Sequence, residues 1–381
     1  MFNKRILSLK ETGLHRTLRT VESVQGVRAV VDGKPCTLFC TNDYLGLAGH
    51  PDVRTAAKNA IDNMSAGAGS APLISGHTSY HKKLEDEIAA FKGAESALLF
   101  GSGYLANTGI IPALAGEGDA IFSDSLNHAS IVDGCRLSKA EVKIYGHAAP
   151  SSLEALLKES SGYKSRFIVT EGVFSMDGDI ALMPDIMELA KCYGAQVILD
   201  EAHATGTIGE TGHGTLEHFG LPVDDVIQMG TLGKALGSYG AFVAASGEVT
   251  DWLTNSARSF MFSTALPPST CAAASASLNV ITNEPGRLSQ LRENSDLLRT
   301  SLLEAGFKVL GAGTPIIPVL VGDAGKASRL ASSLLEAGFY APAIRPPTVP
   351  AGMSRIRLTM SALHAKEDIE GLALIFSRQN P

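Results

Sequence analysis

Short apolar runs separated by longer amphipathic stretches dominate the chain from about residue 46 to 280. The runs are ALLF (97–100), AIFS (120–123), VKIY (142–145), RFIVT (166–170), QVILD (196–200), DVIQM (225–229) and AFVAAS (241–246). Most are continuously apolar rather than alternating, which is the pattern of strands buried on both faces. The stretches between them suit helices, so the sequence predicts a mostly parallel sheet covered on both sides. The last two runs are joined too tightly for a crossover helix. One of them is therefore expected to run antiparallel.

The pattern differs at both ends. Phe2, Ile6, Leu9, Leu14 and Leu18 fall near helical spacing, predicting one amphipathic helix over the first 20 residues, packed on the body. Residues 27–40, VRAVVDGKPCTLFC, read as a hairpin turning at Asp32-Gly33. After about residue 283 come a helix (RLSQLRENSDLLRTSLLEAG), a strand (IIPVLVG), a second helix (ASRLASSLLEAG) and a strand (SRIRLTMSA). The expected division is an N-terminal segment 1–45, a large domain 46–282 and a smaller α+β domain 283–381, with no repeat or low-complexity linker between them.

Composition narrows the function. With 381 residues, 45% of them hydrophobic, the chain can bury a large core. A formal charge of −7 and the absence of any long Lys/Arg run argue against nucleic acid or an anionic membrane as the main partner. Cys36, Cys40, Cys135, Cys192 and Cys271 are scattered and form no CxxC pair, so neither a disulfide frame nor a metal site is expected. Reduced thiols and an N-terminus unlike a signal peptide suit a cytoplasmic protein. No stretch of 18 apolar residues suggests a membrane span.

Three segments could carry chemistry. GSGYLA (101–106) fits G-x-G-x-x-A between a strand and a helix, and Asp124 ends the next strand. That pattern serves a dinucleotide, as in an NAD-dependent oxidoreductase, or any single phosphate at a helix start. GTLGKALGS (230–238) is not a Walker A loop. Two residues separate its first glycines where four are needed, and Ala235 follows Lys234. DEAHATG (200–206) places Asp200 at a strand end and His203 three residues later. Asp200 and Lys234 together are what a pyridine aldehyde requires. The amine condenses with the aldehyde, and the carboxylate keeps the ring nitrogen protonated.

DSLNHASIVDG (124–134), TEGVFSMDGD (170–179), DEAHATG and TLGKALG together resemble four loops of the fold-type I pyridoxal-phosphate enzymes. TNDYLGLAGHP (41–51) and AIRPPTVPAGMSRIRLTMSALH (343–364) narrow the resemblance to the α-oxoamine synthase family, over essentially the whole chain. It implies an aminotransferase-like α/β fold, with a mostly parallel seven-stranded sheet between helices and a smaller α+β C-terminal domain. It also implies pyridoxal 5'-phosphate as cofactor and a homodimer with shared active sites. The form of IRPPTVPAG is similar to the branch that condenses L-alanine with a pimeloyl thioester, carried by coenzyme A or acyl carrier protein, with loss of carbon dioxide.

The resemblance assigns roles residue by residue. Lys234 is the cofactor lysine and the base for the α-proton, and Asp200 holds the pyridine nitrogen. His203 and Ser175 lie about the ring 3'-oxygen, and His128 stacks on the ring. Gly103, Tyr104 and Thr231 meet the phosphate, with Ser263 and Thr264 lent by the partner subunit. Arg345 and Thr348 face the substrate, and Asn42 and Glu171 lie near it. Arg19, on the N-terminal helix, is the remaining substrate contact. No metal is implied.

Overall fold

The computed structural model describes residues 2–379. The chain separates into two compact units. One comprises Met1–Gly46, Met176–Asp179 and Ser289–Pro381, and the other comprises Leu47–Ser175 and Ile180–Leu288. The first begins with a helix over Phe2–Glu11 that buries none of its side chains. The 20-residue helix predicted from apolar spacing is thus half as long, and it is exposed rather than packed. Gly13 ends it: φ is +67°, and the Leu14 and His15 N–H groups turn back to Leu9 O at 2.8 and 2.9 Å. Arg19 consequently lies in an irregular stretch and not on a helix.

Strands β1 (Val21–Gln25), β2 (Arg28–Val31) and β3 (Lys34–Leu38) form an antiparallel meander. The expected hairpin turn is present. Asp32 and Gly33 both adopt positive φ, +48° and +76°, as a two-residue hairpin loop requires.

The other unit is built on seven strands: β4 (Ser96–Phe100), β5 (Ala120–Asp124), β6 (Glu141–Tyr145), β7 (Arg166–Glu171), β8 (Gln196–Asp200), β9 (Val226–Thr231) and β10 (Ala241–Ala245). Their order is β4-β10-β9-β8-β7-β5-β6, and all are parallel except β10, which runs antiparallel to both neighbours. All seven apolar runs are strands, and the tight β9–β10 connection accounts for the reversal. Alternation sorts the side chains onto two faces. Ile121, Phe167, Val169, Ile198 and Met229 pack with Ile110 and Ile111 of the helix Gly103–Leu114 and with Ile131 of the helix Ala129–Leu137. Phe122, Ile168, Val197 and Leu199 pack on the opposite face with Leu153, Met183 and Ile186. Burial on both faces explains why six of these strands read as continuous apolar runs, while β6, at the sheet edge, is largely exposed.

The first unit is completed by β11 (Ile316–Gly322), β12 (Phe339–Tyr340), β13 (Ala343–Ile344) and β14 (Ser354–Thr359). β14 pairs antiparallel with β11 and β13, while β12 adds parallel to β3. The inserted Met176–Asp179 stretch is held by Arg355, whose buried guanidinium donates to Met176 O (2.9 Å) and Asp177 Oδ1 (2.8 Å).

Candidate active site

Three parallel strands end on polar side chains: β7 on Glu171, β8 on Asp200 and β9 on Thr231. Two positions earlier stand Val169, Ile198 and Met229, all in the layer under the helix Gly103–Leu114. The two-residue period of a strand therefore carries all three polar ends to that same face. They lie at the carboxyl edge of the parallel sheet, where α/β architectures bind ligands.

Asp200 is buried, and Asn107 Nδ2 and the Ala202 N–H donate to its two oxygens at 2.8 and 2.9 Å. Burial lifts its carboxyl above the ordinary carboxylate value, against the opposing pull of Lys234, these two donors and His128. A protonated ring nitrogen would supply the further positive partner that such a carboxylate calls for. Glu171, its register partner, is also buried and accepts from the backbone N–H groups of His128 and Ser175. Among the described residues, its Oε1 has no hydrogen-bond partner. Burial, and then the charge of Asp200, push Glu171 well above the ordinary range.

Lys234 follows β9 in a tight glycine turn. The Ser238 N–H bonds to Leu232 O (2.8 Å) and the Gly237 N–H to Lys234 O (2.9 Å). Gly237 has φ +55°, and a Cβ there would stand 2.3 Å from Ala48 N, so this turn admits no side chain. The turn brings Lys234 Nζ to 2.7 Å from Nε2 of the buried His203. The buried Lys92–Glu201 pair (3.2 Å) braces the loop that carries His203, because Glu201 also accepts the Thr215 N–H at 2.9 Å.

His128 caps the helix Ala129–Leu137, its Nδ1 accepting the Ser130 N–H at 3.2 Å. The loop before it is pinned by buried Asn127, which donates to Ser123 Oγ (2.9 Å) and Val169 O (2.7 Å). His128 is exposed, yet partial desolvation of its ring holds the imidazole below its ordinary pKa, with Asp200 pulling upward and Lys234 downward.

Ser102 caps the helix Gly103–Leu114 by accepting the Leu105 N–H at 3.2 Å, which leaves the Gly103 and Tyr104 N–H groups outside the helical ladder. A Cβ at Gly103 would touch only Met229 Cε, at 3.8 Å, so the protein leaves room for an anion there. Thr231 Oγ1 donates to Gly240 O (3.0 Å) and accepts the Gly233 N–H (3.2 Å). Tyr104 OH donates to Asp133, and Ser263 and Thr264 line a cavity with Gly101. An amine, an acceptor-only carboxylate and an anion cradle on one sheet face fit a phosphorylated pyridine aldehyde.

The dinucleotide alternative fails on topology. Four strands separate β4 from β5, so Asp124 lies roughly 24 Å along the sheet from the GSGYLA turn, at about 4.8 Å per step. Asp124 also serves its own corner, accepting the Leu126 N–H (2.8 Å) and pairing with His147 (3.0 Å).

A profile of the family described as aminotransferase class I and II matches residues 34–374. The chain belongs to this family. Within the aminotransferase class I and II proteins, it is 50% identical over 372 residues to the 8-amino-7-oxononanoate synthase of Geobacter sulfurreducens, covering 97% of this chain and 95% of that one. It superimposes on a Sphingomonas wittichii serine palmitoyltransferase with TM-score 0.94 at 34% identity, covering 99% and 95% of the two chains. A high-resolution structure of SPT with PLP gives TM-score 0.94 at 31% identity, covering 99% and 96%.

In this class I and II chain, the remaining predicted positions belong to the unit that carries β1 to β3 and β11 to β14. Arg345 donates to Gly13 O, and Asn42 Oδ1 accepts from the Tyr44 hydroxyl at 3.2 Å. Arg19 forms an exposed ion pair with Asp32 at 2.7 Å. Arg16, which sequence reasoning missed, instead reaches Pro346 O and Thr348 Oγ1, both at 3.4 Å. Asn107 and Ser130 were missed too. Asn107 could have been found as the polar residue in phase with buried Ala106, Ile110 and Ile111 of its helix.

Proposed function

We infer that this chain is a pyridoxal-phosphate-dependent acyltransferase that condenses L-alanine with a pimeloyl thioester to give 8-amino-7-oxononanoate, a step of biotin biosynthesis. One observation carries the cofactor: Lys234 Nζ stands 2.7 Å from His203, in the same sheet-edge cluster as buried Asp200. Identity of 50% to an 8-amino-7-oxononanoate synthase, over 97% of the chain, supports the choice of substrates.

Pyridoxal phosphate, when bound, supplies an electron sink that lets bonds at the amino acid α-carbon break heterolytically. Asp200 keeps the ring nitrogen protonated, and His203 and Ser175 serve the ring oxygen. Gly103, Tyr104 and Thr231, with Ser263 and Thr264 from the partner subunit, hold the phosphate. Lys234 Nζ takes the α-proton of alanine. The α-carbon then bonds to the acyl carbon, the thiol leaves, carbon dioxide is lost and Lys234 returns a proton to that carbon. His128 hydrogen-bonds the substrate carboxylate or acyl oxygen, and Arg345 grips a carboxylate through its planar fork. Thr348 and Asn42 complete the substrate side, where Arg16 is better placed than Arg19 to assist Thr348. The working unit is a cytoplasmic homodimer.

Thiol release from a pimeloyl thioester, compared with alanine, glycine and serine, tests the substrates, and borohydride reduction tests the lysine. The expected result is a yellow protein, labelled at Lys234, that is fastest with alanine. Preference for serine and a long-chain acyl donor would move the chain to a sister activity, in line with its likeness to serine palmitoyltransferase.

A further inference from the structure

We propose that Asn107 and Ser130 are positioning residues that link Asp200 to His128 and hold His128 neutral, with its single ring proton on Nε2. The link is a continuous chain of short contacts. Asn107 is 1% exposed, and its Nδ2 lies 2.8 Å from Asp200 Oδ2 and 2.9 Å from Ser130 Oγ. Ser130, equally buried, places Oγ 2.8 Å from His128 Nδ1.

The direction of each bond follows from donor and acceptor counting. An ionised carboxylate only accepts, so the amide nitrogen of Asn107, and not its oxygen, faces Asp200. The second hydrogen on that nitrogen goes to Ser130 Oγ. The hydroxyl's own hydrogen is then left for His128 Nδ1. The same Nδ1 also faces the Ser130 N–H at 3.2 Å, a donor that cannot turn away. A ring nitrogen receiving two donors carries no proton, and the proton of the neutral ring must sit on Nε2. Asp200 and Lys234 are the charged groups that bear on the ring, with opposite signs, and Glu171 accepts from the His128 backbone. Partial desolvation of the exposed imidazole disfavours its charged form, in the same sense as the bonding pattern.

The consequence rests on the cofactor and substrate assignment above. His128 offers the substrate a hydrogen-bond donor and is not a base, which leaves α-proton removal to Lys234. Asn107 makes this state conditional on an ionised Asp200, since a carboxyl turning its own proton toward Asn107 would reverse the chain.

The tautomer is read without turnover. In holoenzyme labelled with 15N-histidine, long-range proton–nitrogen correlations identify the His128 ring by its loss in His128→Asn. The expected spectrum is the neutral Nε2–H form, unchanged from about pH 6 to 8. A ring proton on Nδ1, or a charged ring near neutrality, overturns the proposal whatever the enzyme's substrate is. Ser130→Ala should raise the midpoint of His128 titration by about one pH unit, a tenfold change in the protonation equilibrium. Ser130→Thr should restore it, and Asn107→Leu should mimic Ser130→Ala. A His128 titration unchanged in Ser130→Ala would show that the relay does not control the ring.

Discussion

Burial lifts the Glu171 carboxyl well above the ordinary carboxylate range, and the charge on Asp200, across the β7–β8 register, lifts it further. The sign of the effect on stability follows. Below the ordinary value near 4.5, folded and unfolded chains both hold this proton. As pH rises, the unfolded chain releases it first, so stability falls until the pH passes the folded value. The loss is about 1.4 kcal/mol for each pH unit separating the two values. Glu171→Gln removes the titration and keeps an acceptor for the His128 and Ser175 N–H groups. Urea denaturation of the cofactor-free variant should therefore match the wild type near pH 4 and exceed it near pH 7.5. Turnover should fall by roughly tenfold or less, about 1.4 kcal/mol in barrier. A variant less stable than the wild type at the higher pH would mean that Glu171 is ionised in the fold.

At the level of elements, the site depends on how closely two helices approach. Gly134 of the helix Ala129–Leu137 faces the helix Gly103–Leu114, and a Cβ there would stand 2.6 Å from Asn107 O and 2.9 Å from Ile111 Cδ1. Gly134→Ala must push the helices apart and stretch the Asn107–Ser130 contact. The expected cost is about 1–3 kcal/mol of stability, as for other overpacked cores. Turnover should fall more than thermal stability alone explains, and unchanged kinetics would show that the contact tolerates the shift. Much of this arrangement was legible in the sequence. Strands buried on both faces print as apolar runs, and Asp200 and Lys234 stand out because a strand end and a glycine turn frame them. Asn107 was not legible, because its meaning depends on β8 passing beside its helix. The N-terminal helix was overextended because Leu14 and Leu18 continue its apolar spacing past Gly13, where the backbone turns left-handed. The same overextension placed Arg19 on a helix and hid Arg16.

At the scale of the whole molecule, Ile74 and Phe262 are 80% and 69% exposed, on segments that touch each other through the Ala265 N–H and Ser70 O (3.0 Å). Ser263 and Thr264 follow Phe262 directly. A second copy of the chain covering these side chains would remove a costly apolar surface from water and bring the hydroxyl pair to an interface. Ile74→Asp with Phe262→Asp should then yield single chains by light scattering, with cofactor affinity lowered at least about tenfold, or 1.4 kcal/mol. Mixing experiments decide which chain each hydroxyl serves. Lys234→Ala and Thr264→Asp each disable a homodimer, but a hybrid of the two has one undamaged site if Thr264 acts on its partner. Half of the dimers in an equal, exchanging mixture are hybrids, so about a quarter of wild-type turnover should return. If Thr264 serves its own chain, every site in the hybrid keeps one defect and no activity returns. Recovery on mixing thus separates a shared site from two self-contained ones, even though both arrangements bury the same apolar surface.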